Sequence, residues 1–340
     1  MSGRTPFLLL LSFVVVIGCS DDSLLPSYDL HGSTMGTTFN VTLIAPPAAA
    51  NLDHLQSSIQ EKLEYIENIA STYRNDSEIS RFNANPSTDW VVVNPELCDM
   101  IAAAQTVSDA TGGAFDITVG PLVNLWGFGP PQSERELPTD EEVAAAQLKV
   151  GNVKLQTDCE QSLLRKTIAD VYVDLSGWAK GYAVDEIAAL LDASQLTNYL
   201  VEIGGELRVS GHNAEQRKFA IAVEKPLQNN KMDYSIVRLS NVAVATSGDY
   251  RNFYEHDGQH YSHTIDPRTG RPVTHELTGV TVVSESTAYA DAMATALLVL
   301  GPEEGPGLAE QLDIASYFLV RTEHGIEEIS TSQFKKMRQQ

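Results

Sequence analysis

Two short polar segments contain the residues in this 340-residue chain that are best suited to chemistry. Residues 174–181 read DLSGWAKG, and residues 263–270 read HTIDPRTG. Each segment places an acid, a base and glycines where a predicted strand runs into a turn or a helix. Because the formal charge is −22, the chain has little general attraction for anions, so this chemistry requires a specific ligand. We interpret that ligand as a nucleotide diphosphate held together with a metal ion.

The segment 174–181 has the pattern of a helix start that binds an anion. The N–H groups of a first helical turn can face a phosphate, and Gly177 allows a ligand or an ion to approach the backbone. Lys180 follows one turn later, within reach of a phosphate. The alternative is that Ser176 only caps the helix and that Lys180 is solvated.

A predicted helix over 288–300 carries a pair of oxygen ligands. Asp291 and Thr295 are four residues apart and therefore share one face. The rest of this helix is small or apolar, as in a buried helix, where a carboxylate is unfavourable unless it is paired or binds a metal. Carboxylate and hydroxyl oxygens suit Mg²⁺. The alternative is an aspartate that is hydrogen-bonded near the helix start.

Histidine is the side chain best adapted to proton transfer near neutral pH, so His263 is the candidate base. A lone histidine is more often structural, and its polar neighbours are what favour catalysis here. Three further segments, 32–37 around Met35, 71–74 with Tyr73 and 111–121, are predicted to face a ligand. The pairs Gly204-Gly205 and Ser247-Gly248 resemble tight turns, with approach to a phosphate as the less favoured interpretation.

Together and in order, these segments resemble the ApbE family, the FAD:protein FMN transferases, over about residues 30–300. The resemblance rests on STMGT, STYR, GAFDITVGPL, DLSGWAKGY, IGGE, SGDY, HTIDPRTG and DAMATAL. It implies an enzyme that splits FAD and transfers FMN to a threonine, or sometimes a serine, of an acceptor protein, releasing AMP. The implied acceptor is a subunit of a membrane electron-transport complex.

The resemblance also assigns the site. Mg²⁺ would be held by the carbonyl of Gly177 with Asp291 and Thr295, and His263 occupies the position of the proposed base. FAD would be bound by Met35, Tyr73, Ala114, Phe115, Asp116, Asp174, Lys180 and Ile265. Family members that hydrolyse FAD have a small polar residue where this chain has Tyr73, which favours transferase over hydrolase. The alternatives are a periplasmic FAD pyrophosphatase giving FMN and AMP, and a non-catalytic FAD-binding lipoprotein.

The amino terminus has the pattern of a lipoprotein signal. Residues 1–18 contain a short apolar run followed by small residues, which is typical of a cleaved signal peptide, and Cys19 is then the acylated first residue of the mature protein. We expect a tether over 19–27, one domain over 28–340 and lipid anchoring at the periplasmic face of a bacterial membrane. The acidic charge excludes nucleic acid as a partner.

The elements that position these residues alternate irregularly, which favours an α+β fold with largely antiparallel sheets. Predicted helices follow the caps Asn51 and Asn94, the capping box of Thr139 and Glu142, and occupy 178–191 and 288–300, the last ending at Gly301. Predicted strands are 39–44, 171–175, 199–203, 219–223, 242–245 and 279–283. Cys98 and Cys159 either pair or remain buried thiols.

Overall fold

The structure is a computed structural model that describes residues 24–130, 137–226, 232–248, 253–256 and 259–338. Its strands are β1 (Ser27–Thr34), β2 (Thr37–Ile44), β3 (Val91–Val92), β4 (Leu155–Asp158), β5 (Leu163–Lys166), β6 (Tyr199–Ile203), β7 (Glu206–Ser210), β8 (Phe219–Pro226), β9 (Met232–Leu239), β10 (Val242–Gly248), β11 (Phe253–His256), β12 (Gln259–Ser262), β13 (Ile265–Asp266), β14 (Arg271–Pro272), β15 (Leu277–Ser284), β16 (Ala315–Thr322) and β17 (Gly325–Ser330). The predicted signal peptide and Cys19 lie outside the described residues.

Helices separate these strands at irregular intervals. They are α1 (Leu52–Ala70), α2 (Glu78–Ala84), α3 (Pro95–Ala110), α4 (Gly120–Leu125), α5 (Asp140–Gln147), α6 (Ala179–Ala193), α7 (Thr287–Gln311) and α8 (Ser332–Arg338), with a 3₁₀ turn over Asn152–Lys154. The predicted caps are confirmed at Asn51, Asn94 and Thr139, and the last of these forms the complete capping box with Glu142. No helix in the described ranges combines the length and apolar character that a bilayer crossing requires.

One eight-stranded sheet organises the fold. Its order is β1-β2-β6-β7-β10-β15-β16-β17, and every described strand pair in it is antiparallel. The hairpins β8–β9, β11–β12 and β13–β14 and the small sheet β3-β5-β4 are antiparallel as well. The predicted α+β class with largely antiparallel sheets is therefore confirmed.

Both faces of this sheet are buried. Successive side chains of a strand point to opposite faces, and each face packs against its own hydrophobic core. On β16, Phe318 joins the core beneath α3 and α7, whereas its neighbours Tyr317 and Leu319 join the core formed with the β8–β9 hairpin and α8. A further core lies between α1, α6 and strands β1, β2 and β6. Helix α7, which bears Asp291 and Thr295, and helix α6, which begins just after Gly177, thus both pack against the sheet.

The prediction of a strand over 171–175 is wrong. This apolar segment is extended, but its backbone bonds to a side chain instead of to another strand: Asn83 accepts from the N–H of Val173 and donates to its carbonyl, both at 2.8 Å. The backbone N–H of Asp174 then donates to the carbonyl of Ile117 at 2.7 Å. The segment is fixed by these contacts where it enters the site.

Two other boundaries differ from the prediction. Strand β1 begins at Ser27 and pairs along β2, so the segment around Met35 is the turn of a hairpin and does not precede the first strand. Helix α7 does not end at Gly301, because helical geometry resumes after a kink at this residue. Gly301 has a φ of 76°, which favours glycine, and Pro302 fits the first turn of the new segment.

Cys98 and Cys159 form a disulfide. Of the two alternatives left open by the sequence, the structure therefore has the paired cysteines and not the buried thiols. The bond joins α3 to the chain just after β4, across 61 residues of sequence. Neither cysteine lines the cavity described below. The disulfide therefore ties the fold together outside the predicted site.

Candidate functional site

A cavity of about 880 Å³ opens between the starts of α6 and α7, the β1–β2 turn, the β6–β7 turn and the segment after β12. This volume lies within the range typical of small-molecule and cofactor sites. Predicted site residues that line it are Met35, Tyr73, Asp174, Gly177, Lys180, His263, Ile265, Asp291 and Thr295. The structure thus brings together residues that are up to 260 positions apart, from Met35 to Thr295 (295 − 35).

The close crossing of α6 and α7 sets the geometry of this cavity. A Cβ at Gly181 would overlap the carbonyl oxygen of Thr287 and lie 2.7 Å from the Cα of Ala288, so only glycine permits the approach. Four residues later, Asp185 accepts hydrogen bonds from the start of α7, at 2.8 Å from the Oγ of Ser286 and 3.1 Å from the N–H of Ala288. Anions are favourable at a helix amino terminus, and this contact fixes both helices together.

The crossing places Lys180 between two buried carboxylates. Its Nζ lies 2.7 Å from the Oε1 of Glu206 on β7 and 3.7 Å from the Oδ2 of Asp291 on α7. Asp291 is only 3% exposed and Glu206 only 4%. Burial raises the pKa of Asp291, against the opposing effects of Lys180 and of the Gly181 N–H 3.3 Å away, and burial also raises the pKa of Glu206 to about 7. Two carboxylates therefore share this ammonium in a poorly solvated pocket, which favours a further cation.

Hard oxygen donors lie beside this charge cluster. The Oγ1 of Thr295 is 3.2 Å from the Oγ of Ser247, and it would be 3.4 Å from a Cβ at Gly177. A buried carboxylate, hydroxyl groups and a nearby backbone carbonyl are the ligand types that Mg²⁺ takes in proteins, usually with several waters. No group of three or more His, Cys, Asp or Glu side chains suited to a metal occurs among the described residues; the predicted set contains one carboxylate.

The segment before α6 is shaped by Asp174. Its Oδ1 accepts from the N–H of Ser176 at 2.9 Å and from the hydroxyl of Ser176 at 2.5 Å. The helix then begins at Ala179, with Trp178 at the cap position and no side-chain cap. The alternative in which Ser176 caps the helix and Lys180 is solvated is therefore wrong. In the first turn, the N–H of Ala179 donates to the carbonyl of Leu175 at 2.8 Å and that of Gly181 donates to Asp291 at 3.3 Å, so these two groups are already bonded within the protein.

His263 lies at the cavity between β12 and β13, next to a rigid turn. Asp266 accepts from the guanidinium of Arg268 through both oxygens, each at 3.0 Å, so these residues bind each other. The indole N–H of Trp126 donates to the carbonyl of Gly270 at 2.8 Å. The ring of Phe128 meets that of His263 edge to face, with centroids 6.4 Å apart. Asp266 and Arg268 therefore bond to each other in the turn that follows His263, and the ring of the histidine contacts that of Phe128.

The other end of the cavity is formed by Met35 and Tyr73. Met35 has a φ of 49°, and its N–H donates to Glu67 at 2.7 Å while the Thr34 hydroxyl donates to the same oxygen at 2.9 Å. Tyr73 is 60% exposed, and its hydroxyl donates to the carbonyl of Phe128 at 3.4 Å. A flat, exposed ring here is available for stacking on an aromatic ligand.

Three predicted FAD contacts, Ala114, Phe115 and Asp116, are not among the described residues that line the cavity. The ring of Phe115 packs behind Gly177, where a Cβ would lie 3.1 Å from its Cε2. Asp116 is buried, which raises its pKa, and accepts from the N–H of Thr118 at 2.7 Å and of Asn152 at 2.9 Å. These residues support the wall of the site, and their contact with FAD remains a prediction.

Sequence reasoning assigned no role to three residues at the site. Glu206 and Ser247 line the cavity beside Lys180 and Thr295, and Glu67 holds the turn at Met35. The signal for the first two was the adjacent glycine: Gly204-Gly205 forms the predicted tight turn between β6 and β7, whereas the predicted turn at Ser247-Gly248 is wrong because these residues end β10 and pair with β15. Glu67 lies on α1 and gave no signal, because its partner is 32 residues away.

The chain is similar to known proteins over most of its length. The sequence model described as the ApbE family matches residues 35–318. The chain is 42% identical to the FAD:protein FMN transferase of Vibrio cholerae over 98% of both chains, and 39% identical to that of Haemophilus influenzae over 91% of this chain and 90% of the relative. The solved structure of the flavin transferase ApbE from Vibrio cholerae superposes with a TM-score of 0.87 at 42% identity, covering 92% of this chain and 99% of that one.

Proposed function

Because the chain belongs to the ApbE family, we propose that it is an FAD:protein FMN transferase. The reaction transfers FMN from FAD to the hydroxyl of a threonine, or of a serine, on an acceptor flavoprotein, and it releases AMP. The observation that carries this proposal is the convergence of Lys180, Asp291, Thr295 and His263 on one cavity large enough for a dinucleotide. The names of the relatives in Vibrio cholerae and Haemophilus influenzae support it.

The electrostatics of the site suit an anionic diphosphate and a divalent cation. Asp291, Thr295 and the carbonyl of Gly177 would hold Mg²⁺, which when bound would neutralise charge on the diphosphate and on the departing AMP. Lys180 supplies a second positive charge at the start of α6, where it lines the cavity. These groups orient the phosphates and require little movement, because the α6–α7 crossing already fixes them.

The transfer step needs positioning and one proton acceptor. The acceptor hydroxyl oxygen forms a bond to the phosphorus on the FMN side, the bond from that phosphorus to the bridging oxygen breaks, and its electron pair leaves with AMP. His263 would take the hydroxyl proton, as its place at the cavity permits. The ring of Phe128 packs edge to face against this imidazole, and Tyr73 with Met35 would bind the flavin end.

The direct test is to incubate the mature protein with FAD, Mg²⁺ and an acceptor domain from a membrane electron-transport complex. Covalent flavin on the acceptor, seen by mass and by in-gel fluorescence, would support the transferase. Release of FMN and AMP at the same rate without any acceptor would favour the hydrolase. Binding of FAD with no turnover in either case would favour a non-catalytic flavin-binding protein.

Tyr73 offers a prediction about the choice between transfer and hydrolysis. Replacing Tyr73 with serine removes the exposed ring that covers one side of the cavity, and water gains access to the FMN end. We expect acceptor-independent release of AMP to rise about tenfold, which corresponds to roughly 1.4 kcal/mol of barrier. Chromatography of FAD with each variant measures it. Tyr234→Ser, at an exposed tyrosine on β9, is the control, and equal hydrolysis in both variants would contradict the prediction.

We also propose that the protein is lipid-anchored through Cys19 at the periplasmic face of a bacterial membrane after loss of residues 1–18. The Cys98–Cys159 disulfide supports an oxidising compartment. Replacing Cys19 with serine should leave an unprocessed or soluble protein, because the acyl chains can no longer be attached. Membrane fractionation with mass analysis measures this. Cys98→Ser is the control that keeps the anchor, and unchanged fractionation of the Cys19 variant would contradict lipidation.

A further inference from the structure

Glu206 is a buried carboxylate that the reaction as described above does not use. It begins β7, directly after the β6–β7 turn, and it lines the cavity. Its Oε1 lies 2.7 Å from the Nζ of Lys180, whereas its buried Oε2 has no hydrogen-bond partner among the described residues. A buried carboxylate with one oxygen left without a hydrogen bond destabilises a fold. We therefore ask what this carboxylate does when the site binds its ligand.

The β6–β7 turn and the residue after it contact both the aliphatic stem and the ammonium of Lys180. A Cβ at Gly204 would lie 3.3 Å from the Cδ of Lys180, so the turn packs against the aliphatic stem, while Glu206 binds the ammonium. Asp291 is the competing partner, with its Oδ2 3.7 Å from the same Nζ. The ammonium therefore lies closer to Glu206 than to the predicted metal ligand.

We propose that Glu206 is a positioning residue for the proposed transfer reaction: it holds the Lys180 ammonium so that Asp291 remains available to the metal and Lys180 to the diphosphate of FAD. Without this carboxylate, Lys180 would be drawn into a close ion pair with Asp291. Glu206 thereby allows the Lys180 ammonium and the metal ion to occupy the same small pocket. The inference rests on the proposed function, because it concerns the diphosphate of that substrate.

The direction in which FAD affinity changes when Glu206 loses its charge distinguishes a positioning role from simple charge repulsion. Removing a negative charge beside an anionic ligand should by itself strengthen binding of that ligand. Loss of a positioning residue should instead weaken it, because the cation that contacts the phosphates moves away. Glu206→Gln is the informative change, since it keeps the size of the side chain and removes its charge.

The experiment compares the affinities for FAD and for riboflavin, which lacks both phosphates, by quenching of flavin fluorescence in EDTA. We expect Glu206→Gln to lower the ratio of FAD affinity to riboflavin affinity about tenfold, the scale of one hydrogen bond to a charged group, with riboflavin affinity unchanged. Lys180→Met should lower the ratio at least as much, and adding Glu206→Gln to it should lower it no further. Glu327→Gln removes an exposed glutamate from β17 and should change neither affinity.

Other results would overturn the inference. A ratio that is unchanged or higher in Glu206→Gln means that the carboxylate is only a nearby charge. An equal loss of riboflavin affinity means that it only maintains the cavity, and a loss that persists beside Lys180→Met means that it acts on the ligand directly. Glu206→Asp keeps the charge on a shorter side chain, so its ratio of FAD affinity to riboflavin affinity should lie between those of the parent and of Glu206→Gln. If Glu206→Gln does not fold, Glu206→Asp is used for the same comparison. Absence of FAD binding by the parent would instead overturn the proposed function, and this inference with it.

Discussion

Replacing Asp291 with asparagine is expected to reduce flavin transfer by about 10³-fold or more, on the scale of losing a principal electrostatic contact in an active site. Asp291 is the buried carboxylate of the predicted Mg²⁺ site, and it is also the second partner of Lys180. Its loss would therefore weaken metal binding and disturb the ammonium at the same time. Transfer to an acceptor domain, measured across a Mg²⁺ titration, gives the magnitude.

The fold should survive this change. Burial raises the pKa of Asp291, so the metal-free folded state becomes less stable relative to the unfolded state as the pH rises and the carboxylate ionises. A neutral asparagine avoids that effect, and thermal melts in EDTA should show a variant at least as stable as the parent near neutral pH. Asp99→Asn, at an exposed position on α3, is the control. Full transfer activity of Asp291→Asn at millimolar Mg²⁺ would remove Asp291 from the ligand set.

Replacing His263 with alanine is expected to reduce transfer by roughly 10²- to 10⁴-fold, the range for loss of a general base. FAD affinity should change little, because the proposed diphosphate contacts lie on α6 and α7 and the turn 266–270 is held by its own contacts. The two measurements are covalent flavin formation under single-turnover conditions and flavin fluorescence in a binding titration.

An exposed histidine provides the comparison for this change. His324→Ala, in the turn between β16 and β17, should leave transfer unchanged. Partial recovery of the His263 variant with added imidazole would further support a role in proton transfer. Equal loss of FAD binding and of transfer would show that His263 holds the substrate and would contradict its role as base.

Local patterns in the sequence predicted much of this molecule. The capping box at Thr139 depends only on Glu142 three residues later, and the pairing of Asp291 with Thr295 on one helix face depends only on helical periodicity. Both were therefore visible in a single stretch of chain. The fold class followed from the irregular alternation of such stretches.

Features that depend on distant partners were not visible. The backbone of Val173 bonds to Asn83, 90 residues away, so an apolar run that resembles a strand is not one. Strand β1 was missed because much of it is polar and exposed, and it is recognisable only from its pairing with β2. The contact of Glu206 with Lys180 depends on where the β6–β7 turn meets that side chain, and no spacing in the sequence encodes that meeting.

The crossing of α6 and α7 at Gly181 limits how the substrate specificity of this protein can be redesigned. Because this close approach, together with the contacts of Asp185, sets the spacing between the two helices, a side chain at position 181 would displace Lys180 and Asp291 relative to each other. Libraries that seek acceptance of another dinucleotide should keep 177–185 and 286–295 constant. Diversity is better placed in the segment around Met35, which reaches the cavity from a separate turn, whereas Tyr73 should be kept because its loss is expected to favour hydrolysis.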